Sequence, residues 1–205
     1  MAADPRAGER VYQEIKQAIL SGELKLRQRL DIDALASRWR MSATPVRQAL
    51  AVLTAERLVS VEPARGYHVA FWSERELRTL YGWRWQLARL AAEVYAPRPI
   101  SLATPQRRDH ARAYIAVMQH LETDAHDELK RATRGADERL SAAIRAEPDV
   151  LPDAAEDILG LLEALSGADR RALQTRLRGY FRRRIDACAA IRARAGVNAL
   201  PTNGD

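Results

Sequence analysis

The N-terminal part of the chain passes from helical to strand-like periodicity. An amphipathic helix is predicted over Gly8–Ser21, and a second helix follows Asp31, a favourable N-cap residue. Between them, Leu24–Leu30 is short and mixed, as in an edge strand. The apolar residues of both helices recur at the spacing of one helical face. They are Val11, Ile15, Ala18 and Ile19 in the first helix, and Ile32, Leu35, Ala36 and Trp39 in the second.

A third helix is predicted to begin at Thr44, whose hydroxyl suits an N-cap, with Pro45 at the first helical position. Only residues 40–42 separate it from the second helix, and two helices joined by so short a turn form a helix-turn-helix. Apolar residues from Val46 to Leu53 face inward, which leaves Arg47 and Gln48 pointing outward from the first turn. Hydrogen-bonding side chains at a helix start suit the edges of base pairs in the DNA major groove.

A β-hairpin is predicted directly after this helix. Leu58–Val61 and Tyr67–Val69 are short β-branched or aromatic runs, and Gly66 supplies a permissive position in the turn between them. The order helix, helix-turn-helix, hairpin is that of a winged helix. Arg65 stands at the tip of the wing, where it either contacts DNA or is one of the charged residues that hairpin tips commonly carry.

The remainder of the chain shows helical periodicity alone. Helices are predicted over residues 73–96 (with Ser73 as N-cap), 104–122, 127–146 (ended by Pro148), 154–165 and 168–195. The predicted fold is therefore mainly α: a winged helix-turn-helix with a small β-hairpin wing, followed by an all-helical bundle. We expect a DNA-binding domain over residues 1–71, a helical domain over 72–195, and a disordered tail over 196–205.

Charge and cysteine content favour a cytoplasmic protein with a polyanionic partner. The net charge is +6, and the single cysteine excludes an internal disulfide framework. No apolar run is long enough for a membrane helix, so no membrane partner is expected. Residues 147–163 carry only acidic charges, whereas residues 170–184 are rich in arginine. These two segments either face each other as packed helices or the arginines form a second nucleic-acid surface.

The segment Val11–Ala70 resembles the N-terminal domain of the GntR family of bacterial transcription regulators. The resemblance is carried, in order along the chain, by the following residues: Ile19–Gly22, Leu35-Ala36, Ser42–Leu50, Leu53, Leu58-Val59 and Arg65–Val69. It implies a homodimer that binds a short, near-palindromic double-stranded DNA operator and represses transcription until an effector binds. It also implies that Thr44, Arg47 and Gln48 face the major groove, and that Arg65 and Gly66 reach the adjacent groove or backbone.

Two departures from the family pattern affect the DNA-binding residues. Many relatives have arginine where this chain has Ala43, so one guanine-reading group is missing. Three positions that are usually glycine are Arg27, Arg40 and Arg57 here, and a left-handed turn costs a non-glycine residue about 1 kcal/mol. Arg40, in the turn of the helix-turn-helix, either contacts a DNA phosphate or is simply solvated.

The helical remainder resembles the FadR-like, FCD-type ligand domain of the same family. Such domains often hold a divalent metal with one Asp and three His. The corresponding positions here are Asp137, Ser141, one near Ile158, and Tyr180. This set does not suit zinc, nickel or manganese, so no metal or other cofactor is expected. His110, His120 and His126 are expected to be exposed helix residues.

Arg84 is the leading candidate for binding an effector. It lies on or beside the apolar stripe of its helix, and a buried arginine needs an anionic partner. That partner is either the carboxylate of a small organic acid or an internal acidic residue, such as Asp137. Arg84, Asp137 and Tyr180 therefore form the candidate effector pocket.

The leading hypothesis is a sequence-specific DNA-binding regulator that acts as a repressor. An enzyme is disfavoured, because the sequence has no dinucleotide-binding, phosphate-binding or nucleophile-elbow motif and no credible metal cluster. A regulator whose helical domain is only a dimerisation scaffold, with no effector, remains the alternative.

Overall fold

The computed structural model describes residues 5–63, 65–98, 109–167 and 169–196, with the side chains of residues 5–7 excepted. The chain divides into two compact units. Among the described residues, the N-terminal unit contains those up to Phe71 together with Gly196, and the C-terminal unit contains those from Trp72 to Ala195. The expected tail lies, apart from Gly196, outside the described residues.

The N-terminal unit is a winged helix-turn-helix. Its elements are α1 (Pro5–Ser21), β1 (Arg29–Leu30), α2 (Ile32–Arg38), α3 (Ala43–Ala55), β2 (Val59–Glu62) and β3 (Gly66–Val69). The strands form an antiparallel sheet in the order β1-β3-β2, so β1 is an edge strand. The predicted fold class, including the edge strand and the hairpin, is thus confirmed for this unit.

Helix α3 is held by packing against α1, α2 and β2. The residues with no exposed surface in this core are Val11, Ile15, Val46, Leu50 and Leu53. Asp31 caps α2 as predicted, because its Oδ1 accepts a hydrogen bond from the N–H of Ala34 at 2.9 Å. These contacts fix the orientation of α3, and therefore the direction in which its first turn points.

Arginines occupy left-handed backbone positions at the three turns where the resemblance implies glycine. The φ angles are 64° at Arg27, 52° at Arg40 and 60° at Arg57. Gly66 in the hairpin turn has a φ of 81°, which confirms that the turn uses its permissiveness. The chain therefore keeps these turns without glycine and accepts local strain at Arg27, Arg40 and Arg57.

The prediction that Thr44 caps α3 is wrong by two residues. Ser42 is the N-cap, with extended backbone angles and no hydrogen bond from its side chain, and α3 begins at Ala43. Pro45 consequently stands at the third helical position. A proline is tolerated there as well, because the first four N–H groups of a helix have no partner within the helix.

The C-terminal unit consists of helices in its described part. These are α4 (Glu74–Val94), α5 (His110–Leu121), α6 (Asp127–Val150), α7 (Ala154–Ser166), α8 (Arg170–Asp186) and α9 (Cys188–Gly196). Helix α4 packs on α6 and α8, and α7 packs on α5 and α8. Ser73 caps α4 in a reciprocal capping box with Glu76. No described helix combines the length and apolarity needed to cross a membrane.

Several predicted helix ends differ from the structure. Helix α6 continues through Pro148 to Val150, and the N–H of Leu151 still bonds to the carbonyl of Glu147 at 2.7 Å. The single long helix predicted at the C-terminus is divided into α8 and α9 at Ala187. The predicted start at residue 104 lies outside the described residues.

Candidate functional site

The first turn of α3 presents a polar surface. Thr44, Arg47 and Gln48 are exposed, whereas Pro45 and Val46 are buried. Among the described residues, no ion pair involves Arg47. Its guanidinium is therefore available for hydrogen bonds to an external acceptor, such as the edge of a guanine or a phosphate oxygen.

Arg40 lies in the turn immediately before this surface. Its side chain is exposed, and its backbone N–H donates to the carbonyl of Ser37 at 3.2 Å. On the α1 side of the turn, Arg10 Nη2 contacts Met41 Sδ at 3.6 Å. Two arginines thus border the turn between α2 and α3, and Arg10 is the one that the sequence analysis did not single out.

The tip of the wing carries Arg65, whose side chain is 78% exposed. Its nearest acidic group is Glu62 Oε2, at 3.7 Å from Arg65 Nη1. A Cβ added to Gly66 would meet nothing within 4 Å, so the backbone beside Arg65 is open to a close approach. An exposed pair of this kind is weak, and it leaves Arg65 able to contact a phosphate.

A buried ionic network surrounds Arg84 in the C-terminal unit. Arg84 Nε donates to Asp137 Oδ1 at 2.7 Å and Arg84 Nη2 donates to Asp137 Oδ2 at 3.2 Å. Nη2 also donates to Glu122 Oε1 at 2.6 Å, and the hydroxyl of Tyr114 donates to Asp137 Oδ1 at 2.7 Å. The Arg84 side chain has no exposed surface. The internal ion pair with Asp137, left open by the sequence, is therefore present.

The pKa values in this network reflect burial and the close charges. Burial alone lowers the pKa of the Arg84 guanidinium, but the surrounding Tyr114, Asp137 and Glu122 outweigh burial and raise it. Burial raises the pKa of Glu122 above its ordinary value, against the attraction of Arg84. Arg84 is thus a permanent buried cation.

A second buried cluster is centred on Glu147, which has no exposed surface. Its carboxylate accepts hydrogen bonds from the Tyr81 hydroxyl at 2.7 Å and from Arg184 Nε at 3.0 Å. It also lies 2.9 Å from His110 Nε2 and 3.3 Å from the Tyr180 hydroxyl. His110 is 2% exposed, so the expectation that it lies on the surface is wrong. The contact with the buried Glu147 carboxylate explains why the His110 imidazole lies in the core.

The two clusters are joined by stacked tyrosine rings. The centroids of Tyr114 and Tyr180 are 6.0 Å apart, and Arg184 Cζ lies 3.5 Å from the centroid of Tyr180. The candidate effector residues Arg84, Asp137 and Tyr180 therefore belong to one continuous network. Two of its buried nitrogen atoms, Arg84 Nη1 and Arg184 Nη2, have no hydrogen-bond partner among the described residues.

The residues at the family metal positions do not fit a metal ion. The Asp137 carboxylate is bound by Arg84, a fixed cation close to where a metal would stand. Ile158 is fully buried and offers no donor atom, and the Tyr180 hydroxyl points to Glu147. Within the described ranges no three His, Cys, Asp or Glu side chains converge. A dication beside Arg84 would also meet charge repulsion.

The acidic and basic segments face each other across α7 and α8. Asp157 on α7 pairs with both Arg183 and Arg184 on α8. Nearer the connection, a Cβ added to Gly160 would lie 3.4 Å from Arg176 Nη1, so the two helices run antiparallel. Within the arginine-rich segment of α8, the sequence could have marked Arg184 as buried. It lies on the same helical face as Leu177, Phe181 and Cys188. That spacing was the available signal for a buried arginine.

The chain has relatives among curated proteins. The chain is 34% identical over 110 residues to the HTH-type transcriptional repressor GlaR of Escherichia coli (strain K12), which is 54% of this chain and 46% of that protein. It is 38% identical over 72 residues to the HTH-type transcriptional regulator BphR of Paraburkholderia xenovorans (strain LB400), covering 35% of this chain and 29% of that protein. The chain thus spans less than half the length of these relatives, which are regulators, not enzymes, by name.

Two solved structures share the fold. A GntR transcriptional regulator from Rhodococcus sp. RHA1 has a TM-score of 0.73 at 19% identity, covering 94% of this chain and 98% of that one. E. coli McbR/YncC has a TM-score of 0.60 at 20% identity, covering 93% and 99%. Residues 7–69 match the family described as bacterial regulatory proteins, gntR family. With the curated relatives, this match shows that the N-terminal segment is similar in sequence to the helix-turn-helix domain of GntR-family regulators.

Proposed function

We propose that this protein is a sequence-specific transcription repressor of the bacterial cytoplasm that binds a short, near-palindromic DNA operator as a homodimer. The observation that carries the proposal is the exposed first turn of α3, which presents Thr44, Arg47 and Gln48 in a unit whose sequence matches the GntR family. In a winged helix-turn-helix, this turn enters the major groove. Two copies related by a two-fold axis read half-sites about one helical turn apart.

The proposed DNA contacts are of two kinds: some side chains read base edges, and others position the protein on the phosphate backbone. Arg47 and Gln48 have the donors and acceptors for base edges, and Thr44 suits a base or a phosphate. Arg65 at the wing tip and Arg40 in the turn are cations placed to neutralise phosphates, with Gly66 allowing a close approach. Because Ala43 offers no hydrogen bond, Arg47 and Gln48 carry most of the direct reading, and DNA shape supplies further selectivity.

The test begins with selecting bound DNA from a random library with the full chain. Arg47→Ala is expected to weaken binding to the selected DNA by about 1–3 kcal/mol and to relax selectivity at one position of each half-site. Arg178→Ala, which removes an exposed arginine from α8, is the matched control and should leave affinity unchanged. Unaltered affinity in Arg47→Ala, with the dimer intact, means that α3 is not the reading helix.

The finer part of the proposal is that a small organic anion releases the repressor from DNA by binding at Arg84, Asp137 and Tyr180. The support is that Arg84 Nη1 is buried without a hydrogen-bond partner among the described residues. A carboxylate oxygen placed there would satisfy a donor whose isolation is costly. The internal pair with Asp137 positions the guanidinium for such a contact.

The alternative is a scaffold without an effector, favoured by how completely Asp137, Glu122 and Tyr114 already surround Arg84. Thermal-shift screening of carboxylates and sugar acids separates the two. A ligand that binds the native protein raises its melting temperature by mass action. A hit whose shift shrinks in Tyr180→Phe supports the effector, whereas no shift with any acid supports the scaffold.

A further inference from the structure

The planar guanidinium of Arg84 has two edges, and a carboxylate can accept two hydrogen bonds from either of them. Asp137 binds both nitrogens of the first edge, with Nε to Oδ1 at 2.7 Å and Nη2 to Oδ2 at 3.2 Å. The second edge consists of Nη2 and Nη1, and we call it the end edge. Glu122 Oε1 accepts from Nη2 at 2.6 Å, whereas Nη1 is buried and has no hydrogen-bond partner within the described part of the chain. The end edge is therefore only half used.

The two carboxylates differ in how firmly the chain holds them. Asp137 lies inside α6 and also accepts a hydrogen bond from the Tyr114 hydroxyl at 2.7 Å, so its short side chain is fixed. Glu122 is the C-cap residue of α5, and its side chain is longer and has more rotamer freedom. One bond from Arg84 and one from Thr133 Oγ1, at 2.8 Å, hold its carboxylate. Glu122 is thus the partner that can be exchanged.

The pKa of the Glu122 carboxyl agrees with this difference. Burial raises the pKa above its ordinary value, and the attraction of Arg84 does not compensate for it. Glu147 behaves in the opposite way, because Arg184 and its other partners hold the pKa below the ordinary value although the side chain is fully buried. A carboxylate whose pKa rises on burial is less stabilised as an anion by the protein than by water. The chain therefore holds the Glu122 anion less favourably than the Glu147 anion.

Charge decides whether another acid can join this site or must replace a group already in it. Arg84 supplies one positive charge, whereas Asp137 and Glu122 together supply two negative charges. A third carboxylate would be repelled strongly here, because water does not screen the buried charges. A carboxylate that replaces Glu122 leaves the charge unchanged and can bind Nη2 and Nη1 together. The exchange gives the unpaired Nη1 an acceptor and returns the Glu122 carboxylate to water.

We propose that Glu122 is an internal ligand in the position of the effector's carboxylate, and that the effector is an organic acid that displaces it from the end edge of Arg84. This inference rests on the effector part of the proposed function and names the group that the effector replaces. The incoming carboxylate also takes over the hydrogen bond from Thr133 Oγ1. Because Glu122 on α5 is bonded to Thr133 on α6, its displacement breaks one contact between these helices.

The test uses the full chain with acetate as the probe, at constant ionic strength and with chloride as the reference salt. Glu122→Ala vacates the end edge of Arg84, so acetate should bind this variant at least about tenfold more tightly than the wild type, measured from the rise in melting temperature. Acetamide has nearly the same shape without the charge and should bind neither protein. Glu93→Ala, which removes a carboxylate from an exposed pair with Arg89, is the matched control and should respond to acetate as the wild type does.

Glu122→Gln is the variant to use if Glu122→Ala does not fold, because it keeps the volume of the side chain and an acceptor for Arg84. Its neutral amide holds the guanidinium less strongly than a carboxylate does. Acetate should therefore bind Glu122→Gln at least about threefold more tightly than the wild type. Equal acetate binding by the wild type and both variants would overturn the assignment of Glu122 as the internal ligand.

The acids that stabilise the wild type in the thermal-shift screen separate this inference from the proposed function. An acid that displaces Glu122 should bind Glu122→Ala more tightly than the wild type, as acetate does. If it binds both proteins equally, the displacement of Glu122 is wrong, whereas the existence of an effector stands. If Glu122→Ala binds acetate but no acid stabilises the wild type, both the effector and the displacement fail, and Glu122 is a fixed partner of Arg84. DNA binding through α3 is measured independently by the Arg47→Ala comparison.

Discussion

Arg84 on α4 and Asp137 on α6 form a two-point ion pair, with Nε to Oδ1 at 2.7 Å and Nη2 to Oδ2 at 3.2 Å. The pair lies in the interior of the helical unit, where Arg84 has no exposed surface and the Asp137 side chain is 10% exposed. It joins two packed helices through charges that water does not screen. Removing one partner of such a pair costs more stability than the intact pair contributes, because the other charge is left buried without a counter-charge.

Asp137→Asn is therefore expected to destabilise the C-terminal unit by about 3–5 kcal/mol, since it leaves the Arg84 cation without its main counter-charge. Urea unfolding of the full chain, followed by far-ultraviolet circular dichroism, measures the loss. Asp186→Asn removes an exposed partner of Arg182 at 3.8 Å and should change stability by about 0.5 kcal/mol or less. Equal losses in the two variants would show that burial of the Arg84 pair carries no special cost.

Glu147 predicts how the stability of the helical unit depends on pH. Burial alone raises the pKa of Glu147, but Arg184 and His110 outweigh burial and hold the pKa below its ordinary value. The folded chain thus binds this proton more weakly than the unfolded chain. The stabilisation is fully present above the ordinary glutamate pKa of about 4.3, and it is lost as pH falls through the lower, folded value.

Glu147→Gln should flatten this acid limb of the stability curve and cost about 3–5 kcal/mol at pH 7, because the buried Arg184 then keeps only Asp157 as a counter-charge. Melting temperatures measured from pH 7 down to pH 3 provide the comparison. Glu128→Gln, on an exposed pair with Arg131, is the control and should keep the wild-type pH profile apart from a small offset. If the melting temperature of Glu147→Gln falls at low pH as steeply as that of the wild type, other carboxylates control acid unfolding.

The sequence predicted the elements whose signals are local. Asp31 and Ser73 cap helices because a side-chain oxygen followed by an apolar helical stripe is sufficient. The family resemblance marked Arg27, Arg40 and Arg57 as usual glycine positions but left open whether the left-handed turns are kept, since arginine itself gives no such signal. The capping position of Thr44 was misplaced because Ser42 and Thr44 are both good caps and only the packing of α3 decides between them.

The buried network was largely beyond the sequence. Glu147 draws its partners from α4, α5 and α8, so its environment depends on contacts between residues far apart in the chain. The same contacts explain why α6 continues through Pro148. The proline removes one helical hydrogen bond, but the anchored Glu147 holds the backbone in place. Arg84 was recognisable because its helical face is otherwise apolar, and Asp137 was named as one possible partner, whereas Glu122 was not.

Arg40 and Arg57 form a matched pair for separating strain from DNA contact. Both have positive φ angles, so Arg40→Gly and Arg57→Gly should each raise stability by up to about 1 kcal/mol. Only Arg40 lies in the turn before α3. If Arg40 contacts a phosphate, Arg40→Gly alone weakens operator binding and lowers the slope of log affinity against log salt by about 1. Fluorescence anisotropy at several salt concentrations measures the slope. Identical slopes for Arg40→Gly and the wild type would show that Arg40 is solvated and makes no phosphate contact.

Thr44 provides a test that separates capping from recognition on a single side chain. The N-cap of α3 is Ser42, and Thr44 is exposed within the first turn. Thr44→Ala should therefore change the free energy of unfolding by about 0.5 kcal/mol or less, whereas loss of a true N-cap costs about 1 kcal/mol. Operator affinity should nevertheless fall, because in the proposed function the hydroxyl contacts DNA.

Ser42→Ala is the companion variant for Thr44→Ala. Its side chain makes no capping hydrogen bond, so it too should leave stability nearly unchanged. Thr44→Ser keeps the hydroxyl and should retain operator binding that Thr44→Ala loses. A stability loss of about 1 kcal/mol in Thr44→Ala, with affinity intact, would restore Thr44 as the cap and remove it from the DNA-reading surface. Urea unfolding and anisotropy titration on the same preparations measure the two effects side by side.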